Sequence, residues 1–130
     1  MTNKKLGEDY KLRAKGRWVA VEALYKAALY ADVIRECQES CELALKGIIR
    51  NAGHAVPLVH DVSKDLQDIK EDLPNIVQSK LDRLCEISKQ MRRDRELSFY
   101  GSEDITPSEF YTKKDADEAM ARLKEVLAVL

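Results

Sequence analysis

The chain has 130 residues, enough for one domain and too few for a second core of useful size. Charged residues make up 35% of it but nearly cancel, to a net charge of −1, so no overall field recruits nucleic acid or membrane and any anion binding must come from a local patch. Three cysteines form no paired framework, no apolar run approaches the roughly 18 residues that span a bilayer, and residues 1–7 lack the apolar segment of a secretory signal, so a cytoplasmic location, reduced thiols and no membrane association are expected.

Helical periodicity runs through the whole chain. Ala14, Trp18, Val21, Tyr25 and Ala28 recur at steps of three and four, which places them on one helix face. A break is expected near residues 30–32, with Asp32 capping the next helix. There Val33, Cys37, Cys41, Ala44, Leu45 and Ile48 line one side, and Arg35, Glu39, Glu42, Lys46 and Arg50 the other, with Glu42 and Lys46 in favourable order for an ion pair. Gly53 is the expected C-terminal stop. After a loop containing Pro57, Asp61 reads as the cap of a short helix ending about Ile69.

Pro74 is expected to open one long helix with Val77, Leu81, Leu84, Ile87 and Met91 as its apolar positions, running into an arginine cluster and ending near Gly101. Thr106-Pro107-Ser108-Glu109 has the pattern of a capping box, with proline at the first helical position. The last helix begins at Thr112 and carries Ala116, Ala119, Met120, Leu123, Val126, Leu127 and Leu130 on its apolar face. No segment alternates with a period of two over strand length. The expected fold is all-α, an antiparallel up-and-down bundle of four to five helices forming a single domain over residues 1–130.

Residues 90–101 hold the densest candidate chemistry. Arg92, Arg93 and Arg95 precede Phe99, Tyr100 and Gly101. Guanidinium groups suit a phosphate-bearing partner, but they equally suit a solvated helix C-terminus, where cations complement the macrodipole. His60 beside Asp61 reads either as a base with its orienting carboxylate or as a packed histidine next to a cap. His54 has no evident partner. Cys37, Cys41 and the histidines lack metal-ligand spacing, so neither a metal nor a cofactor is expected.

Three segments, in order, resemble the HEPN domain family. The run from Glu36 to Arg50 is similar to the family's second helix, Pro57-Leu58-Val59-His60-Asp61-Val62 to the turn that follows it, and Arg92 to Gly101 with the start of the last helix to the family's active-site region. Catalytic members carry Arg-x-x-x-x-His there and cleave RNA without a metal across a homodimer. The matching segment here is Arg95-Glu96-Leu97-Ser98-Phe99-Tyr100, which keeps the arginine and has tyrosine in the histidine position; Arg92 and Arg93 offer alternative frames. Imidazole titrates near pH 6.5 and phenol near about pH 10, so tyrosine is a poor proton shuttle at neutral pH. The resemblance thus implies RNA or nucleotide binding through Arg92, Arg93, Arg95 and Tyr100. It also implies weak or absent metal-independent endoribonuclease activity at Arg95 and Tyr100, with His60 and Asp61 as secondary candidates. A homodimer is implied as well. Many members pair with a minimal nucleotidyltransferase as toxin and antitoxin, which leaves a non-catalytic role as partner of such an enzyme as the alternative.

Overall fold

The computed structural model describes residues 2–101 and 105–130, except the side chains of Thr2 and of residues 94–100. Among the described residues there are eight α-helices and no strand: α1 (Thr2–Gly16), α2 (Trp18–Lys26), α3 (Tyr30–Asn51), α4 (Ser63–Asp68), α5 (Asn75–Ser79), α6 (Leu81–Tyr100), α7 (Pro107–Phe110) and α8 (Lys113–Leu127), with a 3₁₀ turn at Lys70–Asp72. The four long helices α1, α3, α6 and α8 form a helical bundle. No helix among the described residues is long and apolar enough to cross a membrane.

α3 is the central helix, with α1, α2, α6 and α8 packed around it. Its expected apolar face is fully buried, and so are Ile34, Gln38, Ser40, Gly47 and Ile49 on other sides. Surrounded in this way, its polar side chains are only half-exposed and must find partners. Arg17 donates to Glu36 at 2.7 Å, Ser40 donates to the Ala14 carbonyl at 2.8 Å, Asn51 to Glu8 at 2.7 Å and Arg50 to Asn3 at 3.0 Å. Low numbers on α1 meet high numbers on α3, so the two helices run antiparallel. They approach so closely that a Cβ on Gly47 would lie 3.0 Å from the Gly7 carbonyl oxygen. The start of α6 likewise meets the end of α8, through Arg83 donating to both carboxylate oxygens of Glu125 at 2.9 and 2.8 Å.

Ile34, Leu45 and Ile49 of α3, Leu66 of α4, Leu84 and Ile87 of α6 and Leu123 of α8 fill the core. Trp18 and Tyr25 pack against it, half-buried, with the ammonium groups of Lys124 and Lys113 over their rings at 5.4 and 5.5 Å.

Several helix ends differ from the sequence expectation. The break before α3 comes at Ala28, whose φ is +59°, and Leu29 occupies the cap position without a side-chain bond. Asp32 sits inside the first turn instead, where a carboxylate complements the macrodipole without capping. The helix expected from Pro74 is two, α5 and α6, separated at Lys80. Ser79 turns its hydroxyl back onto the Ile76 carbonyl at 2.8 Å, and the Lys80 N–H closes a tighter bond to the Val77 carbonyl at 3.1 Å. Gly53 and His54 close α3 with bonds to the Arg50 and Ile49 carbonyls, as a glycine stop should. Thr106 caps α7, and Thr112 with Asp115 forms a full capping box on α8.

Candidate nucleic-acid interface

α6 carries the arginine cluster past the core and out along the surface. It runs to Tyr100, eight residues beyond Arg92, and has no basic residue in its last turn. The macrodipole acts only within that turn, so helix-end complementation does not account for Arg92 or Arg93. Both are exposed. The side chains of Arg95 and Tyr100 lie outside the described residues.

Arg92 and Arg93 border an open groove of about 680 Å³ whose walls also hold Arg83, Lys89 and Arg122, against two carboxylates, Asp61 and Glu86. These five basic groups are not equivalent. Arg83 is held by Glu125 and by Glu86 at 3.2 Å, which raises its already high pKa further, and Arg122 lies 3.8 Å from Glu118. Arg93 donates to the neutral Gln90 side chain. Among the described residues, Lys89, Arg92 and Arg93 have no carboxylate within 4 Å. Those three are the basic groups of the groove that no described carboxylate holds.

A second groove, of about 570 Å³, adjoins the first. Arg92 and Asp61 line both, while Pro57, Leu58, Val59, His60, Lys64 and a second carboxylate, Asp65, form the rest of its wall. The structure therefore places Arg92 and His60, which are 32 positions apart in sequence, on one concave surface.

Asp61 does not orient His60. Its Oδ1 accepts from the Ser63 backbone N–H at 3.0 Å, the Ser63 hydroxyl at 2.6 Å and the Ser88 hydroxyl at 3.0 Å, and Ser88 in turn accepts from the Val62 N–H at 3.2 Å. Burial pushes the Asp61 carboxyl up, but the Ser63 and Ser88 hydrogen bonds and the Lys89 charge outweigh it and hold the group below the usual carboxylate range. Asp61 thus joins the start of α4 to α6, capping the helix from one position before the usual site.

His60 is exposed and has a different partner. Its Nδ1 lies 2.8 Å from Glu42 Oε1 on α3. Glu42 also accepts from Gln38 at 3.0 Å and from Lys46 at 3.1 Å. A carboxylate held by an ammonium can only accept, so Nδ1 of His60 carries the hydrogen of this contact, and in the neutral imidazole Nε2 is the nitrogen with the free lone pair. Among the described residues, Nε2 makes no hydrogen bond. His54 pairs elsewhere, with Asp72 at 2.7 Å.

The thiols are buried. Burial pushes Cys37 up to about 12 and Cys41 and Cys85 upward too, so none behaves as a thiolate. Among the described residues, no group of three or more His, Cys, Asp or Glu side chains is placed to hold a metal ion.

Sequence reasoning missed Glu42 as the partner of His60 and missed the groove wall formed by Arg83, Lys89 and Arg122. Part of that wall was readable, because Arg83, Glu86, Lys89, Gln90 and Arg93 fall at steps of three and four and so share one face of α6. No local signal announces the Glu42 contact.

Among the described residues, an all-helical domain with a groove bordered by basic side chains of one long helix is the class that fold and surface define. The sequence profile of the HEPN domain family matches residues 8–130, nearly the whole chain, and the protein belongs to that family. No curated protein and no solved structure matches it significantly.

Proposed function

We propose that this protein is an RNA- or nucleotide-binding HEPN module with weak or absent metal-independent ribonuclease activity. The observation that carries this reading is the cluster of Lys89, Arg92 and Arg93 beside an open groove, with no carboxylate within 4 Å of any of them among the described residues. Phosphate contacts of this kind position a nucleic acid without reading its bases. Arg95 and Tyr100, on the same helix, extend the surface in this reading, with Tyr100 supplying a hydrogen bond or a stacking face in place of the family's histidine. Fluorescence anisotropy with labelled single-stranded RNA tests it. Changing Arg92, Arg93 and Arg95 together to alanine is expected to weaken binding of unrelated RNA sequences equally, whereas undiminished binding removes the site from α6.

A homodimer is part of the same reading, since a domain of this size leaves much apolar surface uncovered. Light scattering at micromolar concentration checks it, and a clean monomer mass contradicts it.

One observation favours a second reading, a non-catalytic partner of a minimal nucleotidyltransferase in a toxin–antitoxin pair. Leu58 and Val59 stand exposed on the lip of the second groove, where an apolar pair suits a protein surface better than a phosphate. Co-purification with a nucleotidyltransferase encoded next to this chain, lost on Leu58→Asp, supports that role.

A further inference from the structure

The position of His60 matters because the family's motif histidine is replaced by Tyr100 in this chain. We infer that His60 is the proton-transfer group of a slow phosphodiester-cleaving site, with Arg92 binding the phosphate and Glu42 positioning the imidazole. The inference rests on the RNA-binding reading above and adds a chemical step to it.

Three features of the fold meet at this point. Glu42, fixed on central helix α3 by Gln38 and Lys46, holds His60 Nδ1 at 2.8 Å. That contact sets the tautomer and turns Nε2, the basic nitrogen, away from Glu42. The histidine is 45% exposed, so a substrate can reach it. Arg92, exposed on α6, lines the same groove as His60, together with Asp61 and Asp65, and also the adjoining basic groove, so a phosphate held at Arg92 shares the groove with the imidazole. A carboxylate orienting a histidine, with a cation for the phosphate on the same groove, is a general-base arrangement. Two smaller features fit as well: His54 is held by Asp72 outside both grooves, and Asp61 is fully engaged in joining α4 to α6.

In the step proposed, a ribose 2′-hydroxyl attacks the adjacent phosphorus and gives its proton to His60 Nε2. The O2′–P bond forms and the P–O5′ bond breaks. The departing 5′-oxygen takes a proton from water, and the hydroxide left behind is neutralised by the proton on His60. The products are a 2′,3′-cyclic phosphate and a 5′-hydroxyl, and no metal or other reactant is consumed.

The test uses the full chain with a 5′-labelled single-stranded RNA in EDTA, and the same oligonucleotide made with 2′-deoxyribose. The RNA is expected to be cut slowly to cyclic-phosphate ends and the deoxy strand to stay intact. His60→Ala should lower kcat by about 100-fold, the low end for loss of a general base, with RNA affinity within about twofold. Glu42→Gln should lower kcat while leaving KM nearly unchanged, and Glu42→Asp should recover part of the loss, a pattern that general loosening of α3 does not produce. His54→Ala should cleave normally. Cleavage that persists in His60→Ala overturns the inference. RNA that is bound but never cut also overturns it while leaving the binding reading standing, and absence of any RNA binding overturns both.

Discussion

Asp61→Ala is expected to destabilise the fold without touching the chemistry, and the structure allows the size of the effect to be worked out. The substitution removes the acceptor for the Ser63 N–H, a helix-capping bond whose loss costs about 1 kcal/mol. It also removes the acceptor of the hydroxyls of Ser63 and Ser88, which belong to buried residues. Leaving buried hydroxyls short of a partner costs on the order of 1–2 kcal/mol more, reduced here because Asp61 is itself half-exposed. A total of about 2–3 kcal/mol lowers Tm by roughly 6–12 °C in a domain of this size. Asp61→Asn keeps one oxygen acceptor and should lose less. The pH dependence has a definite sign. The folded-state carboxyl titrates below its unfolded value of about 3.9, so the folded chain binds fewer protons near that pH. The stabilisation is therefore complete above about pH 5 and fades as pH falls through the lowered folded value. Thermal melts by circular dichroism at pH 7 and pH 3 give the comparison. Equal Tm values for wild type and Asp61→Ala at pH 7, or a gap that does not narrow at pH 3, would refute the assignment of Asp61 as a strut between α4 and α6.

Gly47→Leu should cost at least about 1–3 kcal/mol through overpacking, because even its Cβ meets the Gly7 carbonyl oxygen at 3.0 Å and Lys11 and Tyr10 side-chain atoms at 3.1 Å. Gly16→Ala, with nothing within 4 Å of its Cβ, should instead stabilise by a few tenths to about 1 kcal/mol; urea titration of both variants checks the contrast. The three thiols, held protonated by burial, should resist iodoacetamide at pH 8 and react only when denaturant is added; rapid labelling in the native state, read by intact mass, contradicts their burial. Tyr100→His puts an imidazole where the resemblance aligns the family's motif histidine and, under the proposed function, should raise metal-independent RNA cleavage; an unchanged rate means that an imidazole at this position is not what limits activity.

Much of the bundle was legible because its long helices are strongly amphipathic. The faces of α3 and α8 follow from the spacing of Val33 to Ile48 and of Ala116 to Val126, and Thr112 with Asp115 marks the start of α8. Local signals served less well where packing decided the outcome. Asp32 is as good a capping residue as any, yet the chain turns at Ala28 and leaves Asp32 inside the helix. The apolar spacing from Val77 to Leu84 runs on across Lys80, because burial keeps the same side inward on both α5 and α6 while the Ser79 hydroxyl breaks the backbone pattern. The site shows a similar division. Arg92 and Arg93 stand out in sequence as a cluster, and the common helix face of Arg93 with Arg83 and Lys89 follows from spacing alone. The pairing of His60 with Glu42 joins the α3–α4 loop to the polar side of α3, and only the packed fold brings them together. Asp61, next to His60 in the chain, is the obvious partner and the wrong one, since its carboxylate turns back to Ser63 and across to Ser88.

Whether the α6 arginines hold phosphates is measured directly by the salt dependence of RNA binding. For single strands, log K falls with log salt concentration by about 0.7 for each phosphate neutralised. Wild-type binding should show such a slope, and changing Arg92 and Arg93 together to alanine should reduce its magnitude by about 1.4, two contacts' worth, for any RNA sequence. Parallel slopes for the two proteins, or wild-type binding insensitive to salt, would contradict a phosphate-binding groove on α6.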